Sequence, residues 1–125
     1  MSLFLTPAER ERLKALPSNS PAAALFAAME DRVRLRVASP DLTDRSATTD
    51  WWHHAAEYLT DVALVQAISP SPEVAAWLRA NVLAIVRCPP ADWAGPPFRG
   101  RGGAEPVGTL ETAHLTWGIA VALDL

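Results

Sequence analysis

One cysteine, one lysine and no long apolar run are the first things this chain lacks. A lone Cys88 excludes an intramolecular disulfide, so the crosslinked framework of a small secreted domain is ruled out and a reducing cytoplasm is the default compartment. No uninterrupted apolar stretch approaches the roughly 18 residues of a membrane span. The opening Met1-Ser2-Leu3-Phe4-Leu5 runs into Pro7 and a charged cluster, without the basic and apolar regions of a signal peptide. The small negative net charge of −3 gives no support to long-range attraction to polyanions, so generic nucleic-acid binding is not expected. Lys14 is the only lysine among 11 basic residues, a bias toward arginine that GC-rich bacterial coding produces without functional selection.

Disorder is excluded as well. With 50% hydrophobic and 20% charged residues, the 125-residue chain has the balance of a folded globular domain with a single core. No alternating strand pattern and no internal repeat appears, and the punctuation instead writes five helices. Thr6-Pro7-Ala8-Glu9 offers an N-cap hydroxyl, a proline at the first helical position and a carboxylate at the third, predicting a helix from Pro7 to about Leu16. Ser20-Pro21 repeats the signal. The stripe Leu25, Phe26, Met29, Val33, Val37 follows, ending before Pro40.

Residues 39–49 read as a polar connector, after which Asp50 can cap a third helix reaching Ile68. Its expected buried face is Trp51, Ala55, Tyr58, Leu59, Val62 and Val65. Ser71-Pro72-Glu73 opens a fourth helix with Val74, Trp77, Leu78, Val82, Ile85 and Val86 in one stripe, and Arg79 and Asn81 beside it. The short connection makes these two helices antiparallel neighbours. Five prolines and five glycines between Cys88 and Gly108 dictate a long loop, a class that is often functional. Thr109 then caps a fifth helix with apolar residues on nearly every side, as for a helix packed between layers.

Candidate chemistry gathers in three places. In Trp51-Trp52-His53-His54 with Glu57 and Tyr58, His53 and Glu57 share a helix face, as do His54 and Tyr58. The adjacent histidines point about 100° apart, unlike the two ligands four apart on a hydrolytic zinc helix, so no metal is expected. Trp52 could offer its ring face to a sugar, while the ordinary reading puts one Trp and Tyr58 in the core and leaves a histidine solvated. On the fifth helix Glu111, His114 and Trp117 lie along one face and could form a cleft wall, against the commoner role of a hydrogen-bonded core histidine. In the loop, Arg99 and Arg101 could pair with a carboxylate or sulfate, and Trp93 and Phe98 could pin the loop to the core. There is no Gly-rich phosphate loop between strand and helix and no supported Ser-His-Asp set.

Trp51, Tyr58-Leu59-Thr60-Asp61, Leu64, the loop Trp93-Ala94-Gly95-Pro96-Pro97-Phe98, Leu110-Glu111-Thr112-Ala113-His114-Leu115 and Ile119-Ala120-Val121-Ala122-Leu123-Asp124 together form a pattern. It resembles the N-terminal helical part of heparinase II/III-like polysaccharide lyases, over roughly Asp50 to Leu125. The resemblance implies an incomplete α/α toroid and a link to β-elimination of uronic-acid polysaccharides. Leu123-Asp124 departs from it, since the family more often has Tyr-Asp there. The family draws its catalytic asparagine or histidine, and tyrosine, from later helices that have no counterpart here, so no catalytic residue is carried over and no cofactor is implied. The chain ends at Leu125 inside an apolar helix without a glycine cap. The expectation is a helical bundle or partial toroid, an excised domain or truncated gene product that is non-catalytic in isolation, whose open apolar faces are covered by a second copy or a missing C-terminal domain. The rival expectation is a helical protein-interaction module.

Overall fold

A computed structural model describes residues 3–38, 51–89, 93 and 110–125, the side chains of Trp51, Trp52, Leu110 and Glu111 excepted. The expected connector 39–49, most of the loop between Cys88 and Gly108, and the caps Asp50 and Thr109 lie outside these residues. The fold is all-α. Among the described residues five helices run in order: α1 Pro7–Lys14, α2 Pro21–Val37, α3 Trp51–Ile68, α4 Pro72–Val86 and α5 Leu110–Asp124. No strand occurs among the described residues.

Local side-chain chemistry accounts for the starts. At α1 the Thr6 hydroxyl accepts the Glu9 N–H at 3.2 Å, and the Glu9 carboxylate accepts the Thr6 N–H at 2.9 Å, closing a reciprocal capping box. The Ser20 hydroxyl accepts the Ala23 N–H at 3.2 Å ahead of Pro21. α4 begins where Ser71-Pro72 predicts, but for another reason: the Ser71 side chain makes no capping bond, and its backbone N–H donates to Gln66 Oε1 at 3.0 Å in the last turn of α3. α1 ends at Lys14, two residues short of Leu16, because the Ala15 N–H closes on the carbonyls of Glu11 and Leu13 and the chain then turns into Pro17.

α3 is the hub, in contact with each of the other four helices. Its alanines at 55, 56, 63 and 67 are all buried and let neighbouring helices approach closely, while Leu59 and Val62 fill the spaces between them. One core cluster joins Ala55 and Leu59 to Val82 and Ile85 of α4 and Leu115 and Ile119 of α5. A second packs Val33 of α2 on Val62 and Val65, and a third seats Leu5 on Ala67 and Ile68.

Three stripe assignments are corrected by the packing. Leu25 lies at the margin of the α2 stripe and is exposed, as Val86 is on α4. Asn81 is buried, because it falls midway between Trp77 and Ile85 at successive four-residue steps, and its Nδ2 donates to the Trp77 carbonyl at 3.0 Å. The fifth helix is not enclosed between layers. Leu115, Gly118, Ile119 and Val121 are buried, chiefly along α3, whereas Trp117 and Leu123 face outward.

Candidate functional site

The closeness of α3 and α5 builds the site. A Cβ placed on Gly118 would stand 2.8 Å from the Ala56 Cα, so the two helices meet at backbone distance there. One turn earlier on each helix, that approach brings His53 and His114 together. Their rings meet edge to face, with centroids 4.8 Å apart and planes at 84°. His53 Nε2 lies 3.2 Å from the Glu57 carboxylate, an ion pair whenever the imidazole is protonated.

These side chains form one wall of an open groove of about 660 Å³. α3 supplies His53, Ala56, Glu57, Tyr58, Thr60 and Asp61, α5 supplies His114 and Trp117, and α2 contributes Arg32. Arg32 donates to Asp61 Oδ2 at 2.9 Å, which fixes the rim opposite α5. A second groove of about 300 Å³ continues along α2 and shares Arg32, Tyr58 and Asp61. There the Arg36 guanidinium lies 3.4 Å over the Tyr58 ring, while His54 stacks against the same tyrosine at 5.9 Å and 14°. Trp117 is 54% exposed despite its size, and its only described ring partner is Phe4, edge to face at 4.9 Å.

Of the residues singled out in the sequence, His53, Glu57, Tyr58, His114 and Trp117 converge on this groove. Trp93 is not in it. Trp93 packs against the α3–α4–α5 core cluster, and its carbonyl accepts a hydrogen bond from Thr112 Oγ1 at 3.2 Å. The side chains of Trp52 and Glu111, together with Arg99, Phe98 and Arg101, lie outside the described residues. His114 is half-buried, its ring set against His53 of the neighbouring helix. Sequence reasoning missed Arg32 and Phe4, and it named Asp61 only as part of the family resemblance. Helical periodicity marks a face but not the partner that the face will meet.

Chemically the groove offers one exposed indole, two imidazoles, two carboxylates and a guanidinium. No group of three or more His, Cys, Asp or Glu among the described residues is arranged to hold a metal ion. No helix among them is long and apolar enough to cross a membrane. Compared with protein-family models, curated proteins and solved structures, the chain finds no match.

Proposed function

We propose that this chain is a non-catalytic helical domain akin to the N-terminal part of heparinase II/III-like polysaccharide lyases, a partial α/α toroid whose groove contacts an acidic saccharide. The observation that carries the reading is Trp117, an exposed indole lining the groove together with His53 and His114. A sugar ring pairs an apolar face with a rim of hydroxyls, so it suits an aromatic wall flanked by hydrogen-bonding side chains. The groove volume lies within the usual range for small-ligand sites, and its open form suits a section of a longer chain. Arg32, paired with Asp61 but largely exposed, is the guanidinium that a uronic-acid carboxylate would meet. With its single cysteine, the domain is assigned a reducing, cytoplasmic setting.

Catalysis of its own would need a cleft uniting Glu111, His114, Trp52 and Arg99; His114 lines the groove, and the other three side chains lie outside the described residues. The test is titration with a panel of uronic-acid oligosaccharides, following tryptophan fluorescence and the absorbance of unsaturated products in the same samples. Binding without product is expected, and Trp117→Ala should abolish it. Product formation would overturn the non-catalytic assignment, and silence in both channels would overturn the saccharide reading.

A second reading, a helical oligomerisation module, is favoured by Leu83 and Val86. They lie three residues apart on α4 and are 40% and 53% exposed, leaving an apolar strip without cover among the described residues. Light scattering at working concentration distinguishes the two, with a dimer mass lost in Leu83→Glu supporting this reading and a monomer mass excluding a homodimer.

A further inference from the structure

The residues ahead of α1 are fastened to the end of α5. The Leu3 N–H donates to Asp124 Oδ2 at 2.8 Å and Oδ1 at 3.0 Å, and the Phe4 N–H donates to Oδ2 at 3.1 Å. Leu5 then turns inward and is buried against Ala67 and Ile68. The Phe4 ring goes the other way and meets Trp117 edge to face at 4.9 Å and 81°. Asp124 and Trp117 stand two turns apart on one face of α5, about 10 Å along its axis, so one extended segment can touch both.

An acidic side chain in the last turn of a helix opposes the helix dipole, and α5 has no basic residue there to offset it. The strap amides offset part of that charge, because a carboxylate accepting backbone N–H groups makes charge-assisted bonds. Asparagine keeps one acceptor oxygen but sets an NH2 donor against the Leu3 N–H in place of the second, and it loses the charge, so Asp124→Asn weakens the contact.

We propose that Leu3–Leu5 is a strap that positions Trp117 at the groove, with Asp124 anchoring the strap and Phe4 selecting the orientation of the indole. A side chain as exposed as Trp117 has several rotamers open to it on a helix face, and the Phe4 edge favours one. Phe4 and Asp124 are positioning residues: Phe4 acts through Trp117, and Asp124 acts through Phe4. On the saccharide reading above, on which this clause rests, a ligand stacked on the indole and a docked strap strengthen one another by the same factor.

The test begins with the free protein. The indole N–H resonance of Trp117, identified by its loss in Trp117→Phe, reports its surroundings, and hydrogen exchange at Leu3 and Phe4 reports strap docking. Asp124→Asn should speed exchange at both amides about tenfold and shift the Trp117 resonance. Phe4→Ala should shift the resonance while leaving the Leu3 amide slow, and Phe4→Tyr should restore it. A Trp117 resonance unmoved in both Asp124→Asn and Phe4→Ala would overturn the proposal, leaving the strap a structural latch. Circular dichroism verifies folding, and Phe4→Ala serves if Asp124→Asn perturbs α5. Titration with tetragalacturonate follows. Several-fold weaker binding in Phe4→Ala, rescued in Phe4→Tyr, supports the coupling, and equal binding in all three overturns it. Absence of binding in the parent protein sinks the saccharide reading, while the strap result from the free protein stands.

Discussion

Gly118 packs directly on the backbone of Ala56: a Cβ at position 118 would lie 2.8 Å from the Ala56 Cα and 3.1 Å from its carbonyl oxygen. That same carbonyl accepts the Thr60 hydroxyl at 2.8 Å, so it is held on both sides. The contact sets the gap between α3 and α5, and with it the distance between His53 and His114 one turn away. The groove therefore depends on a residue that does not line it.

Gly118→Ala is expected to destabilise the fold. Alanine gains about 1 kcal/mol of helix propensity over glycine, but overpacking a tight contact costs about 1–3 kcal/mol. A net loss of about 1 kcal/mol in urea unfolding is the expected outcome. Because the nearest atoms are backbone, Ala56→Gly in the same chain cannot relieve the clash. Full recovery in that double variant would show that the helices are not held at backbone distance.

The core and the surface of the bundle should respond very differently to loss of a leucine. Leu59 is completely buried in the α3–α4–α5 cluster, so Leu59→Ala should cost about 2–5 kcal/mol. Leu25 is 73% exposed, and Leu25→Ala should stay within about 0.5 kcal/mol of the parent. Equal losses in denaturant titrations would contradict this packing.

Acid should loosen the start of α1. Hydrogen bonds from the Thr6 hydroxyl and the Thr6 backbone N–H hold the Glu9 carboxyl below its ordinary range, with a smaller contribution from Arg12. A lowered folded value means that folding favours the ionised form. The contribution is thus complete above the ordinary glutamate range and is lost as pH falls through the lower, folded value. Thr6→Ala should raise the Glu9 midpoint in a carboxyl-carbon NMR titration, and an unmoved midpoint would remove Thr6 as the cause.

The Arg32–Asp61 pair separates stability from binding. Arg32 is 64% exposed and Asp61 31%, so solvent screens the pair and Arg32→Ala should change stability by less than about 1 kcal/mol. On the saccharide reading the same variant should bind a uronic-acid oligosaccharide several-fold more weakly. Unaltered affinity by calorimetry would place the acidic group elsewhere in the groove.

The helices were legible because their signals are local. Thr6, Ser20, Pro7, Pro21 and Pro72 act on backbone groups within one turn, which is why the starts of α1, α2 and α4 fall where the sequence puts them. The half-buried faces were legible to first order from periodicity, with errors at the stripe margins, Leu25 and Val86, and at the polar Asn81 inside one stripe. Of the site, His53 with Glu57 and His114 with Trp117 could be read as neighbours on single helices. Their convergence could not.

What the amino-acid order determined by itself was an all-α chain of five helices with apolar stripes of known position, since hydrogen bonding within a turn and side-chain periodicity need no distant partner. Tertiary structure alone decided which faces meet. Arg32 finds Asp61 across 29 residues and Leu3 finds Asp124 across 121. Such meetings depend on how helix faces fit one another, as where Gly118 lets α5 approach Ala56 at backbone distance, a steric fit that no spacing along the chain records.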